Sequence, residues 1–149
     1  MAAPAPLVEA TVTRLMAEVP ELGLVRRAAE FGALLRSSSA PQAAVAAYVL
    51  PAGLDAVAPA RATGVHDQDI TRLVTVVLFL RGGDPAGDRL LDGLEALCGR
   101  IIAALAGWAP PGEMRDPMAF RRSRSQPWTP GSFVVEFTFA ARDRLRVFT

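Results

Sequence analysis

Apolar residues recur at helical spacing in two segments of the chain. The first covers residues 7–19, and the second runs from about residue 85 to residue 106. In both, apolar side chains return every three or four positions, which places them along one side of a helix. Pro20 follows the first segment and Gly107 the second, where proline ends a helix and glycine caps one. The pattern therefore predicts two amphipathic helices.

Extended structure is predicted for residues 44–50, 70–81, 118–125 and 132–141. Valine and aromatic residues, which favour strands, are frequent in the second and fourth of these segments. Pro51 is expected to end the first strand, because proline cannot donate a ladder hydrogen bond.

The remaining stretches are less regular. Residues 22–36 are ambiguous: residues 22–27 could form a short strand, and residues 26–36 could form a helix. Residues 52–69 contain glycine and proline without a sustained period, which is typical of a long irregular excursion. Residues 126–131 are predicted to connect the last two strands. Residues 142–149 fit either a continuation of the last strand or a tail.

The segment 70–81 carries apolar side chains on both of its faces. One face has Ile70, Val74, Val76, Leu78 and Leu80, and the other has Leu73, Val77 and Phe79. Both faces need cover, and the two helices can shelter only one. Cover for the second face comes either from residues 22–36 or from a neighbouring subunit.

Length and composition describe one α+β domain over residues 1–149. The chain is 51% hydrophobic, which is enough to build a core and too much for a disordered protein. We predict a mixed or antiparallel sheet of about four to five strands, with two main amphipathic helices packed on one face. The longest strongly apolar run, residues 73–80, is far shorter than the ~20 residues of a membrane-spanning helix. No membrane association is expected.

Residues suited to catalysis or metal binding are scarce. The chain has one cysteine and one histidine, whereas nucleophilic catalysis needs a nucleophile, a base and a group that orients the base. His66, Asp67 and Asp69 are close in sequence but fall short of a convincing set of metal ligands. Cys98 lies on the apolar stripe of the second helix, where a thiol usually acts as a small hydrophobic group. We therefore predict no enzymatic activity, no catalytic residue, no metal and no cofactor.

Arginine supplies all 16 cationic side chains, against 15 acidic ones. Six arginines fall in or beside the last two predicted strands: Arg121, Arg122, Arg124, Arg142, Arg144 and Arg146. Alternation places Arg122 and Arg124 on one strand face and Arg121 on the other. Arg142, Arg144 and Arg146 share one face if that stretch is extended. They form a charged edge against aggregation, a salt-bridged subunit interface, or a contact with a nucleic-acid backbone. The net charge of +1 argues against nucleic-acid binding as the main task.

Two tryptophans lie beside prolines. Trp108 precedes Pro110 by two residues, and Trp128 follows a proline directly. We interpret Trp108, Pro110 and Trp128 as structural anchors that hold loops on the core; an exposed tryptophan would instead mark an interface.

The order of these segments, with several short motifs, resembles the phage tail terminator family. The motifs are the Ala-Tyr-Val-Leu-Pro sequence at residues 47–51, Gln68 before the apolar strand 70–80, the Gly-Trp-Ala-Pro sequence at residues 107–110 and the phenylalanine-rich strand 133–139. The resemblance covers about residues 7–147, nearly the whole chain.

The resemblance implies a structural virion protein that forms a homohexameric ring on the end of the completed tail tube. The ring would stop tube polymerisation and offer a surface to the head or neck. The partners implied are other copies of the chain, the tail tube protein and the head–tail connector proteins. DNA would only pass through the lumen, and no small-molecule substrate is implied. The protein would assemble in the bacterial cytoplasm and reside at the head-proximal end of the tail.

Under this resemblance the six arginines are candidates for a subunit or tube interface. Two alternatives stay open at this stage. One is a neck or head-completion protein, and the other, less favoured, is a DNA-binding module built on the arginine-bearing strands.

Overall fold

The computed structural model describes residues 7–27, 29, 31–33, 45–56, 60–62, 65–81, 88–111, 116–129 and 132–148. Within them lie the helices α1 (Leu7–Glu18) and α2 (Asp88–Leu105). The strands are β1 (Val25–Arg27), β2 (Val45–Ala56), β3 (Ala60–Ala62), β4 (Val65–Arg81), β5 (Ala119–Thr129) and β6 (Ser132–Phe148).

The strands form one mixed sheet in the order β1-β2-β4-β6-β5, and β3 pairs with β4 beside this path. The short β1 runs parallel to β2, and all other pairs are antiparallel. The longest pair joins β4 to β6, from Val65 opposite Phe148 to Arg81 opposite Ser132. The predicted α+β class is confirmed.

Both helices pack on the same face of the sheet, as predicted. Leu15 of α1 and Ile101 and Leu105 of α2 are fully buried there. They contact the β4 side chains Val74, Val76, Leu78 and Leu80 and the β6 side chains Val135, Phe137 and Phe139. The apolar stripe of each helix therefore meets the even-numbered positions of β4 and the odd-numbered positions of β6.

The second face of the sheet carries a smaller apolar cluster, and the chain covers it with its own residues. Val77 and Phe79 of β4 are buried there beside Tyr48 of β2. Leu24 and Phe31 pack against the cluster, and Phe31 lies in a helical segment that includes residues 31–33. The Phe31 ring centroid is 5.5 Å from that of Tyr48 and 6.4 Å from that of Phe79. Of the two covers considered from the sequence, the chain's own segment, through Leu24 and Phe31, therefore covers this part of the face.

Pro51 does not end β2, so that prediction is wrong. The strand continues through Pro51 to Ala56, with a register shift between Pro51 and Gly53. Gly53 has a φ of 109°, a left-handed conformation that glycine adopts readily. Because β1 pairs only as far as Val49, Pro51 lies where β2 is an edge strand, and an edge tolerates a missing donor.

The described parts of residues 52–69 are strands, so the prediction of an irregular excursion is also wrong. They belong to the end of β2, to β3 and to the start of β4. Residues 142–148 continue β6 rather than forming a tail. Apolar alternation is missing from this half of the sheet, where acidic side chains of β4 lie beside arginines of β6.

The connection predicted over residues 126–131 is wrong for its first part. Strand β5 continues to Thr129, and Pro127 stands opposite Phe133 of β6 just before a second register shift. Proline is tolerated because β5 is the last strand of the sheet. Residues 130 and 131, like the predicted helix start at residue 85, lie outside the described residues.

Replacing Phe31 by alanine is expected to destabilise the monomer by about 2 kcal/mol, below the loss for a fully buried phenylalanine because its ring is partly exposed. Urea unfolding of the purified protein measures this change. The variant Phe31→Leu keeps most of the cover and should lose much less. An unchanged unfolding midpoint for Phe31→Ala would show that the segment does not seal the second face.

Candidate functional site

Arg142 and Arg144 lie on one face of β6, as the alternation predicts. In the β4–β6 register, Arg142 is opposite Thr71, Arg144 opposite Asp69 and Arg146 opposite Asp67. Arginine positions on β6 thus lie beside acidic positions on β4. The Arg146 side chain lies outside the described part of the chain.

Arg144 forms a two-point ion pair with Asp67, diagonally across the two strands. Its Nε donates to Oδ1 at 2.6 Å, and its Nη2 contacts Oδ2. The Asp67 side chain is only 14% exposed. The hydrogen bond and the charge of Asp67 raise the pKa of Arg144 above its ordinary value. This arginine is therefore already engaged within its own chain.

Looser ion pairs surround this one. Arg142 approaches Asp69 and Asp116 at 3.8 Å each. On the opposite face of the same strands, Arg72 Nε donates to Asp143 Oδ2 at 3.0 Å. Exposed pairs contribute little to stability individually, but a one-residue slip would put these side chains on the wrong faces, so together they specify the β4–β6 register.

The three arginines of β5 differ from those of β6. Arg121 lies at the register shift of β5, with its Nη1 3.7 Å from Asp55 Oδ2. Arg122 and Arg124 share the second face, opposite Thr138 and Glu136. Both are exposed.

Neither Arg122 nor Arg124 has an ion pair with any residue that the structure describes. Their guanidinium groups are therefore available for contact with another molecule.

The two ends of the sheet present different open edges. At one end is the β5 edge, which we define as residues 121–125; among the described strands, β5 pairs with β6 alone here. At the other end is the β2 edge, residues 51–56, which lies beyond the reach of β1 and is exposed throughout. The hydrophobic side chain of Leu54 on the β2 edge is 62% exposed.

An apolar groove of about 300 Å³ adjoins the β2 edge. It is lined by Leu7, Val8, Pro51, Gly53, Leu54, Arg72, Leu73 and Val74. Sequence reasoning missed this groove, because Gly53 and Leu54 fell in the stretch interpreted as irregular. No local signal in the sequence brings the start of α1 next to β2.

Trp108 joins the end of α2 to the start of β5. It is half-buried against the main core, and the Arg14 guanidinium lies 5.7 Å from the centre of its ring. Its carbonyl accepts a hydrogen bond from Met118 N at 2.8 Å. Arg14 Nε also donates to the Ala104 carbonyl at 3.0 Å, which ties α1 to α2.

The other two residues proposed as anchors are in different situations. Pro110 is buried. Trp128 lies in β5, but its side chain is outside the described part of the chain.

Nothing described in the structure resembles a reaction centre. Burial, with a smaller contribution from Glu95, raises the pKa of the Cys98 thiol, which disfavours the nucleophilic thiolate. The described residues contain no group of three histidine, cysteine or acidic residues that could hold a metal ion. The helices described are all too short or too polar to cross a bilayer.

The described surface carries exposed arginines on β5 and β6 and two sheet edges that have no described strand beside them. Residues 1–147 match the family described as phage tail terminator protein, and the chain therefore belongs to this family. It is a structural protein of a phage-type virion and not an enzyme.

Solved structures contain a similar fold. A chain from a structure titled virion of native gene transfer agent particle superposes with a TM-score of 0.58 at 17% sequence identity. The match covers 93% of this chain and 95% of that one. At this identity the likeness shows a shared fold alone. No curated protein sequence matches the chain.

Replacing Trp108 by alanine is expected to lower the free energy of unfolding by about 3 kcal/mol, because the core contact and the Arg14 contact are both lost. Thermal or urea unfolding measures the change. Trp108→Phe keeps an aromatic ring in place and should retain more than half of this stability. Unchanged unfolding of the alanine variant would contradict a packed position for this side chain.

Proposed function

We propose that this protein forms a homohexameric ring on the head-proximal end of the tail tube, stops tube polymerisation and offers a surface for joining to the head or neck. The observation that carries the proposal is the family match, which spans residues 1–147 of the 149-residue chain. The partners are the tail tube protein on one side and the head–tail connector proteins on the other.

The distribution of open surface supports a ring. A closed ring needs a heterologous contact, in which one patch of each copy meets a different patch on the next. The β5 edge and the β2 edge are two such patches, at opposite ends of one sheet. On the β5 edge, Arg122 and Arg124 can engage acidic groups of a neighbouring copy or of the tube.

The charge distribution supports a lumen through which DNA passes without binding. The net charge is +1, and Arg142 and Arg144 lie beside Asp69 and Asp67. Each phosphate that a protein neutralises adds affinity, so arginines already engaged with carboxylates hold DNA weakly. The same pairing weakens the case for a DNA-binding module.

Tube assembly in the presence of the purified protein tests the proposed function. When tail tube protein polymerises, added terminator should shorten the tubes and should be seen by electron microscopy at one end of each. A virion that carries the protein below the neck, on the last tube ring, agrees with this role. Tubes of unchanged length without bound protein, or a position among the neck proteins only, would contradict it.

Replacing Arg122 and Arg124 together by serine should weaken assembly more than folding, because both side chains are exposed and lack ion pairs among the described residues. Capping of tubes should fall at least tenfold while the urea midpoint stays close to that of the wild type. Arg100→Ser is the control: it removes an exposed arginine of α2 together with its ion pair to Glu21, and this variant should cap normally. Equal losses of capping and of stability in the double variant would contradict an interface role.

A further inference from the structure

We propose that neighbouring copies join through their sheet edges, with the β5 edge of one copy against the β2 edge of the next. The sheets of adjacent copies would then continue into one another around the ring. This inference rests on the proposed function, because it names the surfaces through which that ring closes.

The faces of the sheet offer little apolar surface for this contact. The helices cover one face, with Val74, Val76 and Leu78 at most 1% exposed. On the second face Val77 and Phe79 are at most 3% exposed beneath Leu24 and Phe31. A neighbour that packed on either apolar cluster would first have to displace part of the chain.

The β5 edge is an open strand. It belongs to an 11-residue strand that pairs on one side only among the described strands. Its outward backbone donors and acceptors therefore have no described strand as a partner. Such edges attract other strands. Pairing with a second β5 would bring Arg122 and Arg124 against the same arginines of the other copy, and like charges across strands are unfavourable. The edge thus favours a partner strand of different charge.

The β2 edge is complementary to the β5 edge in charge. It carries the carboxylate of Asp55, which is 67% exposed and only loosely paired, with Arg121 of its own chain at 3.7 Å. Leu54 stands beside the apolar groove. Of the cationic residues near it, Arg72 is engaged with Asp143. An incoming β5 edge would bring two unpaired guanidinium groups towards Asp55 and would cover Leu54. Contact between opposite ends of one sheet is heterologous, as ring closure requires.

Cysteine cross-linking of the full-length protein tests this contact. In a background with Cys98 replaced by alanine, one variant carries Ser123→Cys on the β5 edge, a second carries Ala52→Cys on the β2 edge, and a third carries both. Each is assembled on tail tubes and treated with a short bifunctional thiol reagent. The double variant should give a covalent ladder of several copies, whereas each single variant should stay monomeric on a denaturing gel.

Three other outcomes would overturn the inference. Efficient dimers from Ser123→Cys alone would show that β5 pairs with β5. Rings that cap tubes normally but give no ladder with the double variant would place the contact elsewhere and leave the proposed function intact. A wild-type protein that stays monomeric in the presence of tubes would remove the proposed function, and this inference with it. An equimolar mixture of the two single variants is the control, and it should give dimers but no longer products.

Discussion

The central strand β4 has apolar side chains on both faces in its second half, and a short chain must therefore build two layers of cover. Val74, Val76 and Leu78 face the helices, whereas Val77 and Phe79 face the segment around Phe31. The larger layer uses both long helices, so only a short segment is left for the smaller one. Most other features of the molecule follow from how this demand is met.

The first half of β4 carries acidic side chains in place of the apolar ones of the second half. Here Asp67 and Asp69 form ion pairs with arginines of β6, on a part of the sheet where most described side chains are only partly buried. Ion pairs specify register there but add little stability. The result is a sheet in which apolar packing stabilises one half and ion pairs specify the register of the other. Both ends of the described sheet have open edges. A structural virion protein can use those edges to contact other proteins without disturbing its core, as we propose for the ring.

The parts of the fold that depend on apolar periodicity could be predicted from the sequence. Both helices and the apolar halves of β4 and β6 follow from side chains that repeat at intervals of 3.6 or 2 residues. The ends of β2 and the start of β4 could not be predicted, because Pro51 and Gly53 break strands unless the chain lies at an edge. The pairing of Arg144 with Asp67 could not be predicted either, because 77 residues separate them and only the β4–β6 register brings them together. The face shared by Arg122 and Arg124 was predictable, but their lack of ion pairs depends on the finished sheet.

The central claim is that each copy covers both apolar faces of its own sheet and therefore meets its neighbours at the edges. A cryo-electron microscopy structure of the ring on its tube, at a resolution that shows side chains, tests this most directly. The account predicts that Phe31 stays packed on Tyr48 and Phe79 in every copy, while residues 121–125 lie beside residues 51–56 of the adjacent copy. A ring in which a neighbouring copy replaces Phe31 on the second face, with both sheet edges left open to solvent, would contradict it.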